Sequence, residues 1–529
     1  MDRGRALWIA VVALAAFVTV WMVAVYGVNV PLGDQIPIGR FLIDNHGRIF
    51  PRLGDLFAQH NESRKFFPRL VFFYLARLTH WNVKAEMFVE VLMACGIVAC
   101  VAVFARRNLA VVALASLLIF SPVQWWNWLV GIQIVVFAPI LMLCIALIAL
   151  QSARPLWLRV AAAAVACVIA TFSYANGMLL WGVLLVPLWF VARKRWGVYV
   201  FWLVAALASV LLYFHDYHRP HGSPPLESPL ADPVHFIAYV FAFLGRPLSW
   251  SPWNLVASIS VGVVLVVALA IGVAVAIRRR DVGAVPAITI GLYALASTGA
   301  TAIGRLRMSL PQALEARYTT FSIYLAVAVV LLCSSLATHR AGVAAAVALV
   351  VAHVFAVVGI RPEMMFNYRT RLLARSAVQF ALVSPDRTVL SEWVDPKPEE
   401  AISVIDGLAR IGYLDPPPLR SDLVNRLRRD DAPRYGAIDR IGRARKDIVA
   451  VSGRARLPGG RLPHAVVVTR AAQDGDHVFA ISIRVFPDGS WYAWIPERWL
   501  RGGVVLHAWA YDSADETAYR LAGVAQAGQ

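Results

Sequence analysis

Apolar runs recur through the first two-thirds of this chain, near residues 6–28, 87–105, 109–120, 135–150, 160–172, 178–191, 198–214, 256–277, 284–302, 320–336 and 341–360. A backbone in hydrocarbon must satisfy every N–H and C=O internally, and about 20 apolar residues cross a bilayer core as a helix. The pattern predicts an all-α polytopic membrane protein of about eleven transmembrane helices. Composition agrees: 59% of the 529 residues are hydrophobic and 16% charged, against roughly 45–50% and about 25% in soluble domains. The arginines gather in alternate gaps, as Arg106-Arg107, Arg193-Lys194-Arg195 and Arg278-Arg279-Arg280. Lys and Arg are kept in cytoplasmic loops, so these gaps and the N-terminus, with Arg3 and Arg5, are expected inside and the C-terminus outside. The net charge of +18 is thereby explained without nucleic acid, which we exclude as a partner. The run at 6–28 is too long for a signal-peptide h-region and lacks a small-residue cleavage site, so it reads as a retained anchor. The five cysteines (95, 100, 144, 167 and 333) lie within apolar runs, where they pack as small hydrophobes and form neither a disulfide framework nor a zinc site.

The chain divides into a multi-spanning domain, 1–360, and a C-terminal domain, 361–529, where charge and proline replace the apolar runs. This second, extracytoplasmic α+β domain is expected to be helical over about 361–440. Over about 447–525 stretches such as HAVVVTRA and WYAWIP alternate with period two between Gly, Pro and Asp turns, which predicts an antiparallel β-sandwich. The segments near 66–81 and 235–250 are apolar but carry Arg and His, and read as amphipathic helices lying in the interface.

Between the first span and residue 70 lies a polar loop, about 30–70, expected outside. It carries Asp34, His60, Glu62 and Arg64. Other polar residues fall at span ends on the same side: Asn127, Gln133, Asn176, Arg305, Arg317 and Tyr318. The opposite side shows only Lys and Arg. The spans carry almost no ionisable residues at their middles, which argues for an outward-facing cavity over a path through the membrane. Asp34, just past a span, suits a general base taking a proton from an alcohol; it also suits a cap on the next helix. His60, Glu62 and Arg64 suit binding of sugar hydroxyls or a divalent cation; their spacing fits no standard metal motif, so no metal or other cofactor is assigned. Arg305 and Arg317 suit a phosphate, because guanidinium offers forked donors, though arginines at this depth also reach to lipid headgroups. Trp125, Trp126 and Trp128 suit either stacking on sugar faces or anchoring at the interface.

The stretches GDQ…DLFAQHNESRKFFPRL, QWWNWLVGIQ, SYANG and ARYTTFS, placed after a first span and at later span ends, resemble the GT-C superfamily of integral membrane glycosyltransferases. They are also similar to a group of bacterial multi-spanning proteins. The resemblance implies an inverting glycosyltransferase on the outer face of the bacterial inner (cytoplasmic) membrane, moving a sugar from a polyprenyl-phosphate carrier to a glycan or glycolipid acceptor. It transfers the base role to Asp34. Many members of the family place a second acid beside the first; here the neighbour is Gln35. Two alternatives stay open: a lipid-carrier-dependent glycan ligase, and a transporter or flippase of lipid-linked sugars.

Overall fold

A computed structural model describes residues 3–220, 228–251, 253–305, 307–336, 339–422, 424, 427–500 and 503–527. The polar stretch 215–233, rich in His, Pro and Asp, is thus described only at its ends. By contacts the chain forms two compact units. The first comprises Met1–Gly27, Pro51–Val71 and Lys84–Met364; the second comprises Val28–Phe50, Phe72–Val83 and Met365–Gln529.

Nine helices among the described residues are long and apolar enough to cross a membrane, and all lie wholly or largely in the first unit. Two of the eleven expected spans are shorter. Leu156–Thr171 has 16 residues, about 24 Å at 1.5 Å per residue against a core of roughly 30 Å. Ala175–Val191 is broken into Leu179–Val183 and Leu185–Val191, with Pro187 just past the break. The last span does not stop at residue 360; apolar helix leads directly into Arg361–Gln379.

Within this unit the helix Thr319–Leu336 is enclosed, 83% of its apolar window being buried, whereas Trp196–Phe214 is 17% buried. On that outer helix Leu203, Leu207 and Leu211 stand about 60% exposed at four-residue spacing. An apolar stripe of this kind would be costly in water and is at home in lipid. The helix Pro233–Gly245 does not lie apart as an interfacial element. It packs along Leu255–Arg279, with Gly245 against Ser258 and Gly262, and Gly262 against Phe241. The backbones approach so closely that a Cβ at Gly245 or Gly262 would collide with main chain, the use small residues serve between membrane helices.

The second unit joins two pieces of the early polar region to the C-terminal residues. The helix Ile36–Asn45 buries Ile36, Ile38, Phe41 and Leu42 and lies on Pro398–Arg410, where Gly39 faces Val404 and Leu408 and Gly407 faces Ile43. Residues 28–50 thus cluster with the C-terminal residues, a division that the composition boundary at 360 does not show. The expected sandwich is present as two sheets. One has the order Arg428–Asp430, Thr517–Arg520, Val504–Asp512, Ala465–Ala472, Gly475–Ile481; the other runs Gly436–Arg445, Ile448–Ala455, Ser490–Pro496, Arg484–Val485. Pairing is antiparallel except between Thr517–Arg520 and Arg428–Asp430. The alternating residues of both sheets, among them Val451, Trp491, Ala493, Val466, Val468, Leu506 and Ala508, close one core. Strands begin at 428, inside the stretch expected to be helical.

Candidate functional site

Polar side chains far apart in sequence gather at one end of the helical unit. The turn Gln59–Arg64 is a two-strand hairpin with Asn61 in the left-handed region. Its Glu62 meets Arg305, at the end of the helix Val285–Arg305, at 3.3 Å. Twelve residues on, Arg317 pairs with Glu315 at 2.7 Å and lies over the ring of Tyr318, 5.1 Å from its centroid. Tyr318 accepts a hydrogen bond from Gln312 (2.8 Å), and Gln312 in turn accepts one from Tyr239 (2.6 Å). Tyr239 is within electrostatic reach of Arg305, Glu315, Arg317 and Tyr318, and Tyr174 of Arg317. Two arginines, two glutamates and three tyrosines thus share one neighbourhood.

Several expected residues build this neighbourhood without facing it. Asn127 is buried; its amide nitrogen donates to the Arg317 carbonyl (3.0 Å) and the Thr320 hydroxyl (2.6 Å), pinning the start of the enclosed span. Arg64, expected to bind substrate, is buried and gives its guanidinium to the carbonyls of Tyr213 (2.6 Å), Phe57 and His215. It acts as a tie between the hairpin and the end of Trp196–Phe214. Arg69 does the same for the carbonyls of Asp55, Leu56 and Ala58, and burial lowers its pKa to about 10. His60 is 4% exposed, and both ring nitrogens lack a hydrogen-bond partner among the described residues. Burial, with Lys65 and Arg69 nearby, holds its pKa well below the ordinary imidazole value. Asn176 sits on the turn Ala175–Met178 beside Tyr174, its amide nitrogen buried with no hydrogen-bond partner among the described residues. Gln133 stands at the start of Ile134–Gln151.

The tryptophans divide. Trp125 and Trp128 are core: Trp128 donates to the Ser121 carbonyl and stacks on Phe137 at 4.7 Å. Only Trp126 is partly exposed. Asp34 belongs to the second unit, exposed on the single turn Gly33–Gln35. Gly33 donates to the Val394 carbonyl at 2.7 Å, and Gln35, not Asp34, occupies the capping position of Ile36–Asn45.

Sequence reasoning missed Tyr239, Gln312 and Glu315, and it missed a buried pair, Arg246 with Glu363 at 3.3 Å. The signals were present: a lone arginine in FAFLGRPL, and an acid two residues before Arg317. Glu86 and Glu90, in the first part of Val83–Phe104, are 2% and 0% exposed. Among the described residues no group of three or more His, Cys, Asp or Glu could hold a metal ion. No family model, curated protein or solved structure matches the chain.

Proposed function

We propose that this multi-spanning membrane protein is an inverting glycosyltransferase of the bacterial inner membrane, acting at its outer face on a polyprenyl-phosphate-linked sugar. The observation that supports this best is the meeting of Arg305 and Arg317 with tyrosines at one end of a lipid-embedded unit. Their partners do not preclude a phosphate. The Arg305 and Arg317 side chains are 24% and 43% exposed, and Glu62 and Glu315 are 47% and 37% exposed. Pairs this open contribute about 0–1 kcal/mol, so a phosphate can displace the carboxylates at small cost and gain forked, charge-assisted bonds. In the proposed step an acceptor hydroxyl oxygen bonds to the anomeric carbon while the bond from that carbon to the phosphate oxygen breaks. The hydroxyl proton passes to a carboxylate base and polyprenyl phosphate leaves with its charge stabilised by the arginines; the family resemblance gives the base role to Asp34.

The test is sugar transfer by the full chain in proteoliposomes. Arg317→Ala is expected to lower turnover by about 10²–10³, the range for losing one fixed transition-state donor. Asp34→Ala and Asp34→Asn should each abolish it, and wild-type turnover in both would remove Asp34 as base. A transporter of lipid-linked sugars is the second reading, and the buried Glu86 and Glu90 favour it. Flipping of a fluorescent polyprenyl-phosphate sugar without transfer, lost in Glu90→Gln, would decide for it.

A further inference from the structure

The second unit contains a small cleft that none of the roles above uses. It is about 200 Å³ and is lined by His46, Gly47, Arg77, His80, Ile411 and Tyr413. Three chain segments build it at places where the backbone reverses. Gly47 (φ 79°), His80 (φ 52°), Trp81 (φ 54°) and Gly412 (φ 72°) are all left-handed. Such a conformation costs a non-glycine residue energy and persists where surrounding structure enforces it; here Trp81 is 3% exposed and anchors the turn.

The side chains have one chemical character. Tyr413 is buried as the floor, with the His46 ring 5.4 Å and the His80 ring 6.3 Å from its own. Arg77 is close enough to the phenol to interact with it electrostatically. It lies over Phe73 at 5.6 Å and gives one N–H to the Arg48 carbonyl. No carboxylate lines the cleft, and among the described residues no ion pair engages His46, Arg48, Arg77 or His80. The helices Ile36–Asn45, Phe66–Thr79 and Pro398–Arg410 end here. Their C-terminal dipoles favour positive charge, which lets basic groups crowd together, but part of the carbonyl capacity is already used by turns such as Tyr413 N–H to Leu408 (2.9 Å). No side-chain carboxylate in the lining offers these donors a charged acceptor.

We propose that this cleft binds a phosphate-type oxyanion. Arg77 supplies forked donors, His46 and His80 supply ring N–H groups, and the Tyr413 hydroxyl donates from the floor. A free phosphate and a phosphorylated lipid headgroup present the same oxygens, so both are probed. The full chain is titrated with inorganic phosphate in detergent micelles, followed by calorimetry, and is reconstituted in nanodiscs of phosphatidylcholine with or without phosphatidic acid, followed by thermal stability. Saturable binding is expected in at least one arm. A response to phosphatidic acid alone identifies a lipid source, and a response to both identifies the phosphoryl group itself. Arg77→Gln, which can still bond the Arg48 carbonyl, should weaken the response at least tenfold, as should His80→Ala, while Tyr413→Phe should weaken it less. No saturable response in either arm overturns the proposal, as does an undiminished response in both Arg77→Gln and His80→Ala. Sugar transfer does not enter this readout, so its outcome is independent of the glycosyltransferase reading.

Discussion

Arg246 offers the sharpest energetic test of the helical unit. It follows the helix Pro233–Gly245, and its side chain is 2% exposed. Its Nε–H donates to the Leu314 carbonyl at 2.9 Å and its Nη2 reaches Glu363 at 3.3 Å. Arg246 thus joins the start of one membrane hairpin to the segment that presents Arg317 and to the end of the last span. Replacing it with Leu leaves a carbonyl without a donor and a carboxylate, 18% exposed, without its counter-charge. Breaking a buried pair from one side costs about 3–5 kcal/mol. Because Glu363 keeps some solvent, we expect the lower end, about 3 kcal/mol, or roughly a hundredfold in the unfolding equilibrium. Replacing both residues with Leu removes the stranded charge, and the double variant should lie within about 1 kcal/mol of wild type. Unfolding in mixed micelles, followed through the tryptophan fluorescence of the chain, measures all three proteins. A single variant within about 1 kcal/mol of wild type, or a double variant as unstable as the single, would refute the account.

His60 should make the fold acid-sensitive. Its folded pKa is depressed, so its contribution is complete above the unfolded value, about 6.5, and declines as pH falls below that, by about 1.4 kcal/mol per pH unit until the folded value is reached. His60→Phe, which strands no partner, should flatten the melting temperature between pH 7 and pH 5; an unchanged slope would show that another group titrates. Gly262→Val should cost more than about 2 kcal/mol through collision with the Phe241 backbone, whereas Gly299→Ala, in a helix with open space around it, should stabilise by about 0.5–1 kcal/mol. Melting temperatures of the two variants moving in the same direction would contradict the packing described.

How much of this was legible in the sequence follows from the range of the forces involved. Spans and strands are written locally: hydrocarbon demands about twenty apolar residues in a row, and a half-buried strand demands period two, so the helical unit and the WYAWIP strand could be read directly. Partnership is not written locally. Arg64 and Arg305 are both arginines at the edge of an apolar run, yet one is tied to three carbonyls and the other faces Glu62 at the surface. Their local context does not distinguish them, because two of the three carbonyls that claim Arg64, those of Tyr213 and His215, lie about 150 positions away. The same limit explains why residues 28–50 read as part of the membrane domain. Their apolar face, Ile38, Phe41 and Leu42, announces that something must cover it, but only Gly39 hints that the cover comes close, and its partners Val404 and Leu408 lie beyond every span. Where a short segment states its own partner the reading succeeded in part: an arginine two residues from Glu315 was singled out as Arg317. The acid two positions before it is its partner, a spacing of two that brings the pair together on one short turn. The residues most informative about function are therefore those whose local context leaves them over-supplied with polar groups and whose distant context leaves them open. By that measure Arg305 and Arg317 remain the strongest candidates, and Arg64 and His60 pass to the group that holds the hairpin in place.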